Sequence, residues 1–508
     1  AEAETRDREM RLRRVRGPLH GIPVAVKDNI QTTTMPTTGG ALAFAGFVPP
    51  YEATLVTHLR DAGAIVLAKT GMTELANWVA GAPTPMPTNY NAVGGFGFNP
   101  YDPRRDPRPD TFDGRPALAT GGSSSGVGTA ASFWAANVGT ETSGSILSPS
   151  NQNMLVGIKP TVGRISRYGV IPITADQDTP GPMARTVTDA AIMLGALEGA
   201  APDPHDAATR ACTPPPGRTY VPFLKADALK GARIGIPRAF FYDPLPSLPP
   251  GPRGGLSADH AAAMAAAIAV LKAQGADVVD PADLPSVLDR TASANPITWS
   301  PCSGADEGFG HDDGCSSVLK YGMKRDFNAW LATLGASAPV PSLSALIAWN
   351  RAHVNAGALK YGQSNLEISD QVDLVRDRAK YDADRARDLA ATAARGLDAA
   401  MQAHRLDALF FPGSSSAAVA SRPGRADPEP ADDRLSGRLR RQARPLRRRL
   451  HRPRLQRADA RGPGLRLRTG DETPRAATGD AVTLVRVAAA GAAIAVLATG
   501  GGVRAQVP

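Results

Sequence analysis

An α/β fold is predicted for this chain, on three observations. Strand and helix signals alternate through its first half, helix caps and stops fall between them, and 508 residues with 42% apolar composition suffice to bury a large core. Residues 22–26 form a short apolar run that reads as a strand. Leu55, Val56 and Leu59 then sit at helical spacing, Gly63 supplies a stop, and residues 64–67 resume as an apolar strand. That is one strand-and-helix unit. The same pattern returns where Ser257 can cap an Ala-rich helix to about Gln274, Gly275 ends it, and residues 276–279 read as a strand. A long charged helix is expected over residues 368–404, followed by a buried strand over 406–411 that Pro412 and Gly413 stop. No internal repeat is evident.

The net charge of +9 points first to a nucleic-acid binder, but it is local. Between Arg422 and Arg475 there are 17 Arg, no Lys and 7 acids, so the rest of the chain is close to neutral. This segment is rich in Arg, Pro and Gly and shows neither helical nor strand periodicity, so residues 422–508 are expected to be a tail that does not pack. A natural basic tail and out-of-frame translation of a GC-rich gene both fit that composition. Residues 482–497 are apolar but short, Ala-rich and interrupted by Arg486, which argues against a membrane span. The charged start through Arg16 shows no signal peptide, and the compartment stays open between cytoplasm and export.

Cys212, Cys302 and Cys315 are too few for a disulfide scaffold and lack paired zinc spacing. Cys302 and Cys315 could close one loop, but two unrelated thiols is the favoured reading. None of the eight His lies in an H-E-x-x-H, and His311-Asp312-Asp313 reads as a polar loop.

Three segments carry chemistry. Within the segment of residues 17–29, Lys27 ends the apolar run of residues 22–26, and strand alternation puts it on one face with Ala25 and Pro23, where its stem would be buried. A desolvated lysine becomes neutral at ordinary pH and can act as a general base; a lysine at a strand end can equally snorkel to water. Gly121-Gly-Ser-Ser-Ser-Gly-Val-Gly128 is a loop whose glycines permit unusual backbone angles and whose hydroxyls can pass protons. It is no phosphate cradle, since no Gly-Lys-Ser/Thr follows. Residues 122–126 fit a G-x-S-x-G elbow with Ser124 as nucleophile, but an elbow follows a strand and here a Pro- and Arg-rich loop precedes it; a flexible linker is the bland alternative. Residues 139–149 form a Gly/Ser turn able to present the Ser145 hydroxyl with the amides of Thr142, Ser143, Gly144 and Ser145. Such donors stabilise an oxyanion by roughly 3 to 4 kcal/mol each, although a serine-rich turn is otherwise only a turn.

Together these segments resemble the amidase signature family, which includes bacterial amidases and peptide amidase. The resemblance runs from about Gly17 to Leu197, through Gly157-Ile-Lys-Pro-Thr-Val-Gly163 and Gln177-Asp-Thr-Pro-Gly-Pro-Met183, and more loosely to about Gly413. It implies a central mixed β-sheet surrounded by helices, with Lys27 matching the family's base, Ser123 its cis-serine and Ser145 its nucleophile. Thr142, Ser143 and Gly144 match the oxyanion hole. A cis non-proline peptide after Gly122 would carry about 2.5 to 4 kcal/mol of strain.

Three departures accompany the resemblance. Ser123 and Ser145 are 22 residues apart, about two fewer than usual, so a shorter connecting helix is expected. Only some twenty residues precede the lysine strand, so the start looks clipped, and the Arg-rich tail replaces the family's closing segments.

The sequence therefore predicts one amidase domain over residues 1–421 that hydrolyses a small-molecule carboxamide without metal or organic cofactor. No membrane and no nucleic-acid partner is expected for the core, and homodimerisation stays open. The rival readings are the amide-cleaving subunit of a glutamine-dependent tRNA amidotransferase, an inactive product of a damaged gene, and a non-catalytic protein whose basic tail binds nucleic acid.

Overall fold

A computed structural model describes residues 1–109, 113–123, 125–246, 251–309, 312–424 and 494–496. The first sheet has five strands: Pro23–Lys27 (β1), Ile65–Thr70 (β2), Ala136–Glu141 (β3), Val156–Gly157 (β4) and Thr179–Ala184 (β5). Their order is β2-β1-β3-β5-β4. β1 runs parallel to β2 and β3, whereas β5 runs antiparallel to β3 and β4. The sheet is therefore mixed, as expected.

β1 forms because Val24 and Val26 enter a core with Leu55, Val56, Leu59 and Val138. The helix Thr54–Asp61 supplies the three aliphatics of that stripe. Gly63 ends the connection at φ +92°, where a side chain would also strike the His20 backbone. β3 reads Ala-Asn-Val-Gly-Thr-Glu, a weak strand former by composition, yet it pairs on both edges and all six residues are buried, so both of its faces are covered.

The second sheet contains Arg233–Gly235 (β6), Asp277–Val279 (β7), Ala408–Pro412 (β8) and Ile494–Val496 (β9) in the order β7-β6-β8-β9. The helix Ala258–Ala273 packs on it, and its Ser257 side chain accepts the His260 amide as its cap. A third apolar cluster, around Phe44, Phe327, Trp330 and Leu343, lies among the helices.

Four expectations are corrected. The long helix is shorter: Ser364–Asp370 ends, and a helical run through Arg378–Leu389, Ala390–Leu397 and Asp398–His404 begins after a break. Within the break, Asp373 accepts the amides of Val375 and Arg376, both at 2.9 Å, an alternative to helical bonding that Asp side chains offer. Second, Cys302 and Cys315 are joined in a disulfide with Cα atoms 5.0 Å apart, because the chain brings Ser316 back beside Ser300 and Cys302.

Third, the packed body does not stop at residue 421. Arg422 is buried, its guanidinium donating to the Trp299 carbonyl at 2.5 Å and to Asp388 at 3.2 Å, and the Gly424 carbonyl accepts from Val162. Asp388 is itself buried and also accepts from Ser316 at 2.7 Å. Arg422→Ala is thus expected to strand a buried carboxylate and destabilise the fold by about 3 kcal/mol, read as a lowered denaturant midpoint; an unchanged midpoint would remove Arg422 from the folded body. Fourth, residues 494–496 of the tail pair antiparallel with β8. The expectation of an unpacked tail over 425–493 and 497–508 lies outside the described residues.

Candidate active site

Lys27 occupies the C-terminal end of β1 and is wholly buried, so its stem follows strand alternation rather than snorkelling. Its amine donates to the Thr140 carbonyl at 3.0 Å. Burial pulls the amine down to about 7, against the opposing pull of the Glu141 and Asp178 carboxylates. Ser123 is also wholly buried; its hydroxyl reaches the Ser145 carbonyl at 2.5 Å and the same Thr140 carbonyl at 3.5 Å. The two side chains therefore meet on one backbone oxygen. They approach across β3 at Gly139, where a β-carbon would lie 3.3 Å from the Ser123 oxygen and against Ile146 and Met183.

Ser145 sits half-buried in the turn between β3 and the short helix Leu147–Gln152. Two close approaches bring the glycine-rich loop onto it. A β-carbon at Gly122 would fall 2.4 Å from the Ser145 hydroxyl oxygen, and one at Gly121 only 2.5 Å from the Pro149 nitrogen. Gly121 also has φ +76° and Gly144 φ +90°, angles that favour glycine. The helix that connects Ser123 to β3, Ser125–Ala130, has six residues.

Lys27, Ser123 and Ser145 are thus gathered at one place, but no direct hydrogen bond among the described residues links the three side chains. A relay would need the Ser123 hydroxyl to turn from the Ser145 carbonyl toward its neighbours. Catalytic hydrogen bonds in unliganded sites are often incomplete in this way. The cis peptide expected at Ser123 is corrected: among the described residues the cis bonds precede Pro83 and Pro281. The loop reaches Ser145 and Pro149 through Gly121, in the left-handed region, and Gly122.

The turn from Thr142 to Ser145 is held at its far end by Glu141. That buried carboxylate accepts the amides of Ile146 at 2.7 Å and Leu147 at 3.0 Å, and Ser421 donates to its other oxygen at 3.2 Å. No described acceptor takes the amides of Thr142, Ser143, Gly144 or Ser145. Ser143 is exposed, and its hydroxyl donates to the Ala417 carbonyl at 3.4 Å.

Sequence reasoning alone assigns no role to Glu141, Asp178 or Lys159. Burial pushes Asp178 up to about 6, against the hydrogen bonds of Thr142 and Ile173, and pulls Lys159 down. Glu141 lies inside the T-x-T-S-G-S motif, where an acid closing a strand beside a serine turn is the available signal. Ser124 and His311 lie outside the described residues. Among the described residues no group of three or more His, Cys, Asp or Glu is arranged to hold a metal ion, and no helix is long and apolar enough to cross a membrane.

A probable amidase of Arabidopsis thaliana is 31% identical over 422 residues, which cover 82% of this chain and 71% of that protein. A glutamyl-tRNA(Gln) amidotransferase subunit from Rhodopirellula baltica is 37% identical over 280 residues, 55% of this chain and 49% of that one. Among solved structures, the peptide amidase of Stenotrophomonas maltophilia superposes with a TM-score of 0.68 at 35% identity, covering 83% of this chain and 78% of that chain. The Amidase family model matches residues 1–431, and this chain belongs to the amidase family of amide-hydrolysing enzymes.

Proposed function

We propose that the chain hydrolyses a small-molecule carboxamide through an acyl-enzyme, with Ser145 as nucleophile, Ser123 as proton bridge and Lys27 as base. The observation that carries this reading is the meeting of a wholly buried lysine, its amine held near 7, with the Ser123 hydroxyl on the Thr140 carbonyl. Lys27 in its neutral form takes a proton from Ser123 as Ser123 takes one from Ser145, and the Ser145 oxygen bonds to the carbonyl carbon. The charge that develops on the carbonyl oxygen is met by amides of Thr142, Ser143, Gly144 and Ser145. Collapse breaks the C–N bond while the relay returns the proton to the leaving nitrogen. Water then enters by the reverse path, its oxygen bonding to the acyl carbon as the ester bond to Ser145 breaks. The products are a carboxylic acid and ammonia or an amine.

The test is a panel of aliphatic, aromatic and C-terminal peptide amides, with glutamine included, assayed for ammonia release by the full chain. Turnover of at least one non-glutamine amide is expected. Glutamine as the sole substrate would favour the amidotransferase reading, for which the resemblance to the Rhodopirellula baltica protein speaks. No ammonia from any member would defeat both.

A further inference from the structure

The four amides proposed to face the reacting carbonyl belong to a turn, and a turn must be held if its amides are to be of use. Its exit is held by Glu141 through Ile146 and Leu147. Its entry is held differently. Antiparallel pairing of β3 with β5 ends at Glu141 opposite Thr179. One residue further on each strand, the Thr142 hydroxyl donates to Oδ1 of Asp178, so a side-chain bond continues the ladder past its last backbone pair. Oδ2 of Asp178 accepts the amides of Ile173 at 2.8 Å and Thr174 at 2.9 Å, and the Asp178 amide returns to the Thr174 carbonyl at 3.0 Å. The carboxylate is thereby fixed to a closed turn of its own before it engages Thr142.

We propose that Asp178 is a positioning residue for the amide-hydrolysing reaction, acting through the Thr142 hydroxyl to fix the first amides of the oxyanion turn. This rests on the reading of Ser145 and its turn given above. Three donors converge on the carboxylate, and charge-assisted bonds of this kind are about twice as strong as neutral ones. Electrostatic stabilisation of an oxyanion depends on donors already in place when charge develops, so loss of the tether should slow the chemical step rather than weaken substrate binding.

Neither substitution that tests this removes a backbone amide. Thr142→Val deletes only the donor hydroxyl. Asp178→Asn leaves an amide group that can accept on one side alone, so either Thr142 or the turn of Ile173 and Thr174 loses its acceptor. On the fastest substrate of the amide panel, each full-length variant is expected to lose 10- to 100-fold in kcat, with KM changed less than threefold. The double variant is expected to lose no more than the worse single one, because both changes break one interaction.

Melting temperatures of all variants, measured alongside, separate a folding loss from a catalytic one; Thr142→Val carries the test if Asp178→Asn does not fold. A kcat within twofold of the parent in Thr142→Val, or a double variant showing the product of the two single losses, overturns the proposal while leaving Ser145 untouched. Full turnover by Ser145→Ala, run in the same series, would instead overturn the reading on which the proposal rests, and the proposal with it.

Discussion

Ser145→Ala is expected to lower kcat by about 10⁴- to 10⁶-fold, the range found when a nucleophile that acts as part of a unit is removed. KM should change little, because the hydroxyl forms its bond to substrate only as the reaction proceeds. The fold should survive: Ser145 is half-buried, and its hydroxyl has no hydrogen-bond partner among the described residues. The hydroxyl lies against Gly122, where no side chain would fill the space it leaves, so the expected change in melting temperature is small. A covalent adduct of substrate mass minus the leaving amine, trapped on the parent by acid quench, should be absent from the variant. Turnover within tenfold of the parent, or an adduct that persists in Ser145→Ala, would transfer the nucleophile's role to another residue.

How much of this site the sequence reveals depends on whether the signal is local. The burial of Lys27 is legible because alternation along β1 assigns its side chain to one face, and that face is removed from water because β1 is buried on both faces from Val24 to Lys27. The glycines at 121, 122 and 144 are legible as a loop and a turn, and their reasons become visible only with Ser145 and Pro149 pressed against them. Asp178 lies within a recognisable motif yet shows no role there, since its partner Thr142 is 36 residues away and only strand pairing joins them. The Cys302–Cys315 bridge is missed for the same reason: a spacing of 13 residues says nothing about a Cα separation of 5.0 Å. The overlong helix fails differently, because acidic residues at 373 and 377 that fit a charged helical face also bind amides of the segment that interrupts it. Composition marks 422–508 as a tail, but a single buried Arg at its start is invisible to an average over 87 residues.

Lys27→Met should produce two large effects of opposite benefit. Activity is expected to fall by at least about 10³-fold, since the thioether cannot accept the proton that Ser145 must lose. In the parent, kcat/KM should climb as pH rises through about 7, where the buried amine becomes neutral, and that limb should vanish from the residual activity of the variant. Stability should move the other way. An amine whose folded pKa lies near 7, against an ordinary 10.5, binds fewer protons in the folded chain than in the unfolded chain between those values. Its penalty is therefore fully present below pH 7 and fades as pH rises toward 10.5. At about 1.4 kcal/mol per pH unit, the penalty at neutral pH is about 4 kcal/mol. Met fills similar volume without charge, so the variant should be the more stable protein at pH 7, with the advantage shrinking toward zero near pH 10. Lys69, held down to about 8, and Glu74, pushed up to about 8, titrate in both proteins and cancel in the difference. Paired denaturant titrations of parent and variant at pH 7 and pH 10 measure it. A variant less stable than the parent at pH 7, or a difference that does not depend on pH, would mean that Lys27 is held as a satisfied ammonium, and a charged amine at that position cannot begin the proton transfer on which the proposed chemistry depends.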